Sequence, residues 1–159
     1  MLHGIESYID RLDDAFHGNP WFGDSVLKTL ESAIESDLNF SLPNGNSIGQ
    51  ILQHIINWRR LTIQKVKGNA GFNIELNSKD DWDRSKEYSR EGYLKLIEEL
   101  KSSHNELIFL LRKKTEKDWL EKHVPGREYS YSFLINGIVQ HDIYHAGQIA
   151  ILKNMTNQG

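Results

Sequence analysis

Apolar residues recur along the chain at intervals of three and four, the spacing that puts them on one face of a helix. Ile5, Tyr8, Ile9, Leu12 and Phe16 predict an opening helix over about residues 5–16, stopped by His17-Gly18-Asn19-Pro20. A short second helix is expected to start at Asp24, a good N-cap, and to carry Val26, Leu27, Leu30, Ala33 and Ile34. After the loop Leu42-Pro43-Asn44-Gly45-Asn46, Ser47 and Gln50 stand three apart, as a capping box requires. The stripe Ile48, Ile51, Leu52, Ile55, Trp58, Leu61 and Thr62 then predicts a long helix to about Val66. A third long helix is predicted from Ser85 to about Lys114, and a last one from near Ser130 to about Lys153. No stretch alternates as a β-strand does, and no repeat is visible. The pattern is all-α, and long helices joined by crossings of unequal length suggest a bundle. The connection from Gly68 to Asp83 is long for a compact fold, which marks it as functional or as crossing an end of the bundle.

Composition narrows the function classes. The 159 residues fit one domain, 1–159, with 38% apolar and 26% charged residues. Net charge is -3 and the basic residues are scattered, so there is no footprint for nucleic acid and no polybasic patch for a membrane. There is no cysteine, which excludes disulfides, a cysteine nucleophile and a thiolate metal site. No run approaches roughly 18 uninterrupted apolar residues, the length of a membrane-spanning helix. The first residues, MLHGIESYIDRLDDAF, carry acids where a signal peptide would be apolar. A cytoplasmic location is the expectation.

Seven histidines are present. His3, His17, His104 and His123 sit near a terminus, at a helix end, on a helix of mixed character or in a loop. They read as solvated or locally hydrogen-bonded rings. The other three differ. His141 and His145 stand at i and i+4 in the last helix, so their rings lie one turn apart on nearly one face and can share a metal. Gln148 falls on the same face. That face is the inward one, with Leu134, Ile138, Ile149 and Leu152. A buried imidazole costs free energy unless both nitrogens find partners. A shared cation turns that cost into binding energy. His54, beside the apolar stripe of the earlier helix, is the third candidate. A bundle can bring it opposite the pair. Three neutral ligands leave the cation its full charge and an open position, the pattern of catalytic sites.

Ser47-Ile48, Ile51-Leu52-Gln53-His54-Ile55 and Trp58 resemble the second-helix motif of the DinB-like superfamily, which includes YfiT-like proteins described as metal-dependent hydrolases. Gln140-His141-Asp142-Ile143-Tyr144-His145-Ala146-Gly147-Gln148-Ile149 resembles that family's last-helix motif closely, and Gly18 to Ser25 is similar to a Gly-rich loop of some members. The resemblance implies a four-helix bundle, up-down-down-up, with the metal near one end and with His54, His141 and His145 as its ligands. It also implies nickel or zinc, a small-molecule substrate with or without a low-molecular-weight thiol, and a homodimer.

Two function classes follow. A three-His site suits a metal-dependent enzyme, a hydrolase or a transferase using a low-molecular-weight thiol. Tyr144, three residues after His141, is the one side-chain candidate for a proton donor, against a packing role in the core. The alternative is a non-enzymatic, metal-stabilised binding module, in which Trp21, Trp82, Trp119 and Tyr129 line a pocket mouth or an interface. A zincin-like peptidase is disfavoured. Asp142 stands where that motif has Glu, and residues 146–159 contain no His, Asp or Glu to complete it.

Overall fold

The computed structural model describes residues 4–156, so the reading of His3 lies outside the described residues. Five α-helices form: α1 Ile5–His17, α2 Val26–Glu31, α3 Ile48–Val66, α4 Arg90–Arg112 and α5 Tyr131–Thr156. Single 3₁₀ turns occur at Glu35–Asp37 and Trp119–Glu121. No strand occurs among the described residues, and the only bridge among them joins His123 to Ser130. The fold is all-α.

The capping box closes as the sequence suggests: the Gln50 backbone N–H donates to the Ser47 hydroxyl, and the Ser47 N–H donates to the Gln50 side chain. It starts α3, which packs against both α4 and α5, while α1 packs against α4 and α5 on the other side. Arg60 pairs with Glu99 and Lys67 with Glu106, seven residues further along each helix, so α3 and α4 run in the same direction. α5 runs opposite to α3. His54 meets His141 on it, and the Tyr131 hydroxyl donates to the Lys65 carbonyl. Two parallel neighbours need a connection that travels back along the bundle, which is why the segment between Val66 and Arg90 is long. It is pinned at both ends. The buried Lys65 ammonium donates to the carbonyls of Asn69 and Ala70, and Asp81 accepts from the Trp58 indole N–H and the Asn77 N–H.

Four boundaries differ from the sequence reading: α2 stops at Glu31, leaving Ala33 and Ile34 beyond it, and three others shift as follows. α2 is capped by Ser25, whose hydroxyl accepts from the Lys28 N–H, and Asp24 instead pairs with the Lys28 ammonium. α4 begins at Arg90 rather than Ser85. Ser89 caps it, and the Asn39 side chain holds the backbone N–H and carbonyl of Tyr88 outside the helix. The Tyr88 ring lies on α3 at Gly49, where a Cβ would stand 2.3 Å from ring atom Cδ2. α5 runs on to Thr156, three residues past the expected end.

The core is divided. One apolar cluster gathers Leu38, Leu52, Ile55, Leu100 and Ile149; the other gathers Leu12, Ile63, Leu107, Trp119 and Ile135. Between them the four long helices contribute Asp13, Arg59, His104 and Asp142. Arg59 is fully buried; it donates from Nη2 to Asp142 Oδ2 and from Nη1 to His104 Nδ1 at 3.0 Å. His104 Nε2 reaches Asp13 Oδ1 at 2.7 Å. Removing one member of a buried charge pair leaves the other uncompensated, at a cost of about 3–5 kcal/mol, whereas replacing both by apolar side chains costs far less. Asp142→Ala should therefore destabilise the protein more than the double change Arg59→Met with Asp142→Leu. Urea unfolding of both variants checks the order, and a double variant as unstable as the single one would contradict it.

Candidate metal centre

α3 and α5 bring His54, His141 and His145 together, with one nitrogen from each ring lying within 4.8 Å of the others. The Nε2 atoms of His54 and His141 are 2.9 Å apart. His54 and His145 are buried and His141 is half-buried. All three sequence candidates are thus in one cluster, at the surface end of the seam between the helices.

A neutral imidazole carries one hydrogen, so the partner of one nitrogen decides what the other can do. His54 Nδ1 faces only acceptors, the Asp81 backbone carbonyl and carboxylate Oδ1, each at 3.0 Å. It must hold the hydrogen, and Nε2 presents a lone pair to the cluster. His145 Nδ1 bonds to Gln148 Oε1 at 2.6 Å, which again turns Nε2 to the cluster. Gln148 thus supports a candidate ligand rather than acting as one. His141 Nδ1 and Asp142 Oδ1 are both buried without a hydrogen-bond partner, and they lie 3.6 Å from each other. Two lone pairs, from His54 and His145, are thus turned to the cluster. His141 Nε2 lies at hydrogen-bonding distance of His54 Nε2 and can donate a hydrogen there in the metal-free protein. With a cation between the rings it would supply a third lone pair, its hydrogen then lying on the buried Nδ1 beside Asp142. This donor set fits a divalent metal, and the outer acceptors are the arrangement that orients metal-binding histidines.

A second group of similar composition, Asp13, His17 and His104, also gathers its ligand atoms within 4.8 Å. It fails the same test. His104 Nδ1 faces Arg59, which can only donate, so Nδ1 accepts and the hydrogen sits on Nε2, directed at Asp13. No lone pair is left for a metal. His104 is therefore neither solvated nor locally bonded, as the sequence suggested; it is a buried link between three helices, stacked on Phe16 at 4.0 Å.

Aromatic rings frame the cluster. Trp82 stacks on His54 with centroids 3.7 Å apart, and Trp58 lies 6.0 Å from His141. Of the other connecting aromatics, Trp119 is buried against Tyr131, and Trp21 is fully exposed away from the site. Tyr144 is not a packing residue: it is 65% exposed, and it lines the mouth of a cleft of about 370 Å³ with the three histidines, Trp58 and Leu76.

Residues 22–149 match the family model of the DinB superfamily, a span of well over half the chain. The chain belongs to the DinB superfamily. No curated protein and no solved structure matches it. The DinB span takes in His54, Asp81, His141 and His145, whereas Asp13 and His17 of the second group fall before it. Sequence reasoning missed the roles of Arg59, Asp81 and Asp142, whereas Trp82, expected at a pocket mouth or an interface, does line the three-His cleft. Arg59 did leave a signal, since a charged residue stands at an apolar register position between Ile55 and Ile63.

Burial pushes the imidazoles of His54, His104 and His145 from 6.5 down to about 4. For His104 the Arg59 charge acts in the same sense. A group whose folded-state pKa is depressed lends stability above its unfolded value, and loses it as pH falls. Metal-free protein should lose stability as pH drops from 6.5 towards about 4. His104→Gln offers Arg59 an acceptor and Asp13 a donor without titrating, so it should flatten part of that dependence. Unfolding free energies measured with a chelator across this window check it; an unchanged pH slope would contradict it.

Proposed function

We propose that His54, His141 and His145 bind one divalent transition metal, nickel or zinc by resemblance, and that the protein is a metal-dependent enzyme acting on a small molecule. The observation that carries this reading is the pair of acceptors behind His54 and His145, which turns their lone pairs inward beside His141 at an opening to solvent. A closed structural site would need a fourth protein ligand, and no further His, Asp or Glu joins this cluster among the described residues. When bound, such a cation supplies Lewis acidity, which polarises a carbonyl and acidifies a water or a thiol.

The chain's own residues hold and shape the site. Asp81 fixes the hydrogen of His54 while its carboxylate is tied to Trp58 and Asn77, so it is committed to positioning. Asp142, held from behind by Arg59, offers its free oxygen to His141. Trp82 covers one face of the His54 ring, and Trp58 flanks His141. Tyr144 is placed at the mouth, where its hydroxyl can meet a substrate held in the cleft. Hydrolysis and transfer of a low-molecular-weight thiol to an electrophile both fit an open site of this kind, and a thiol would have to come from outside a chain that has no cysteine. The protein is proposed to work as a cytoplasmic homodimer, as the resemblance suggests, with neither nucleic acid nor membrane as partner; no described helix is long and apolar enough to cross a bilayer.

Elemental mass spectrometry on untagged protein tests the centre. Near one equivalent of metal is expected in the wild type, in His17→Ala and in His104→Gln, and almost none in His54→Ala, His141→Ala or His145→Ala. Metal loss in the His104 variant alone would contradict the assignment. A panel of esters, amides and thiol acceptors then tests the enzyme: turnover by loaded wild type should vanish in metal-free protein and in His145→Ala. An equal rate without metal would overturn the reading.

A further inference from the structure

Beside the three-His cleft, a second recess of about 230 Å³ runs along the seam between α3 and α5. Trp58 and His141 line both recesses, so the two adjoin at these side chains. Thr62 and Ile138 form its buried floor, and Tyr129 and Phe133 form a rim with rings 5.2 Å apart. No Asp, Glu, Lys or Arg lines it. From His141 to Leu134 it follows seven residues of helix, roughly 10 Å. That is long enough for an aromatic ring or a short branched chain.

Gly137, on α5 beside this recess, is the second observation. A glycine inside a helix is destabilising relative to alanine. Here the backbone is helical and no neighbouring atom lies within 4 Å of where a Cβ would stand. Neither a turn nor a close approach calls for glycine. What its missing side chain does is leave the recess open, next to a ring of the metal cluster.

We infer that this recess receives the apolar arm of the substrate. The substrate class is then a small molecule with a metal-binding polar head and an uncharged aromatic or branched aliphatic arm. This rests on the three-His metal reading. The two recesses together have the size of ordinary small-molecule sites, roughly 300–1,000 Å³.

The test uses two zinc-binding probes on zinc-loaded protein, acetohydroxamate and phenylacetohydroxamate, titrated by calorimetry. The phenyl arm should tighten binding by about tenfold or more, the order expected for burying its apolar surface. Gly137→Leu, which fills the recess and favours the helix, should bring the two affinities together. The ratio of the two affinities, measured on protein whose metal content has been checked, is the readout, so that a change common to both probes does not enter it. Equal affinities in the wild type, or a phenyl advantage that survives in Gly137→Leu, would overturn the inference while leaving the metal centre standing. Conversion of a dimer to a monomer by Gly137→Leu, seen in sedimentation velocity, would also overturn it, since the recess would then be covered by a second copy. A wild type that takes up no zinc would overturn the metal centre and this inference with it.

Discussion

A neutral imidazole can offer a lone pair from only one nitrogen, and the core around α3 decides which one for each histidine that packs against it. Asp81 presents only acceptors to His54, so His54 turns a lone pair towards α5. One turn further along the same helix, Arg59 presents only donors to His104, so His104 turns a hydrogen towards α1. Two clusters of similar composition thereby acquire opposite chemistry. One is open to a cation, and the other is closed into a hydrogen-bonded bridge.

The two arrangements depend on each other through Asp142. Its one oxygen neutralises Arg59, and its other lies beside His141. The polar layer that divides the core therefore ends at the wall of the candidate metal centre. Buried charge is an inefficient way to stabilise a fold. Its retention here is explained by what the layer positions: α1, α3, α4 and α5 meet at one level, in one register, with His141 and His145 fixed above it. The long crossing between α3 and α4 belongs to the same design, since the parallel helices require it and its return limb delivers Asp81 and Trp82 to His54.

Much of this was legible in the sequence. The helices followed from apolar spacing, and α3 from its capping box. The three candidate ligands followed from histidines that intrude on apolar faces at helical intervals. What stayed hidden depended on contacts between distant segments. Asp81 and Trp82 lie in a connection with no periodicity, and nothing local says that they return to His54. His104 looks ordinary because its partners come from two other helices. α4 starts late because Asn39, far away in sequence, holds Tyr88 out of the helix. Arg59 was the exception, a charge on an apolar stripe that announces a buried partner without naming it.

The claim that ring partners separate the two clusters can be tested before any metal is added. Long-range proton–nitrogen NMR correlation on metal-free, ¹⁵N-labelled protein reports which nitrogen of each neutral histidine carries the hydrogen. His54 should carry it on Nδ1 and His104 on Nε2. The same tautomer in both rings would mean that Asp81 and Arg59 do not set their chemistry, and the distinction between the two clusters would fall.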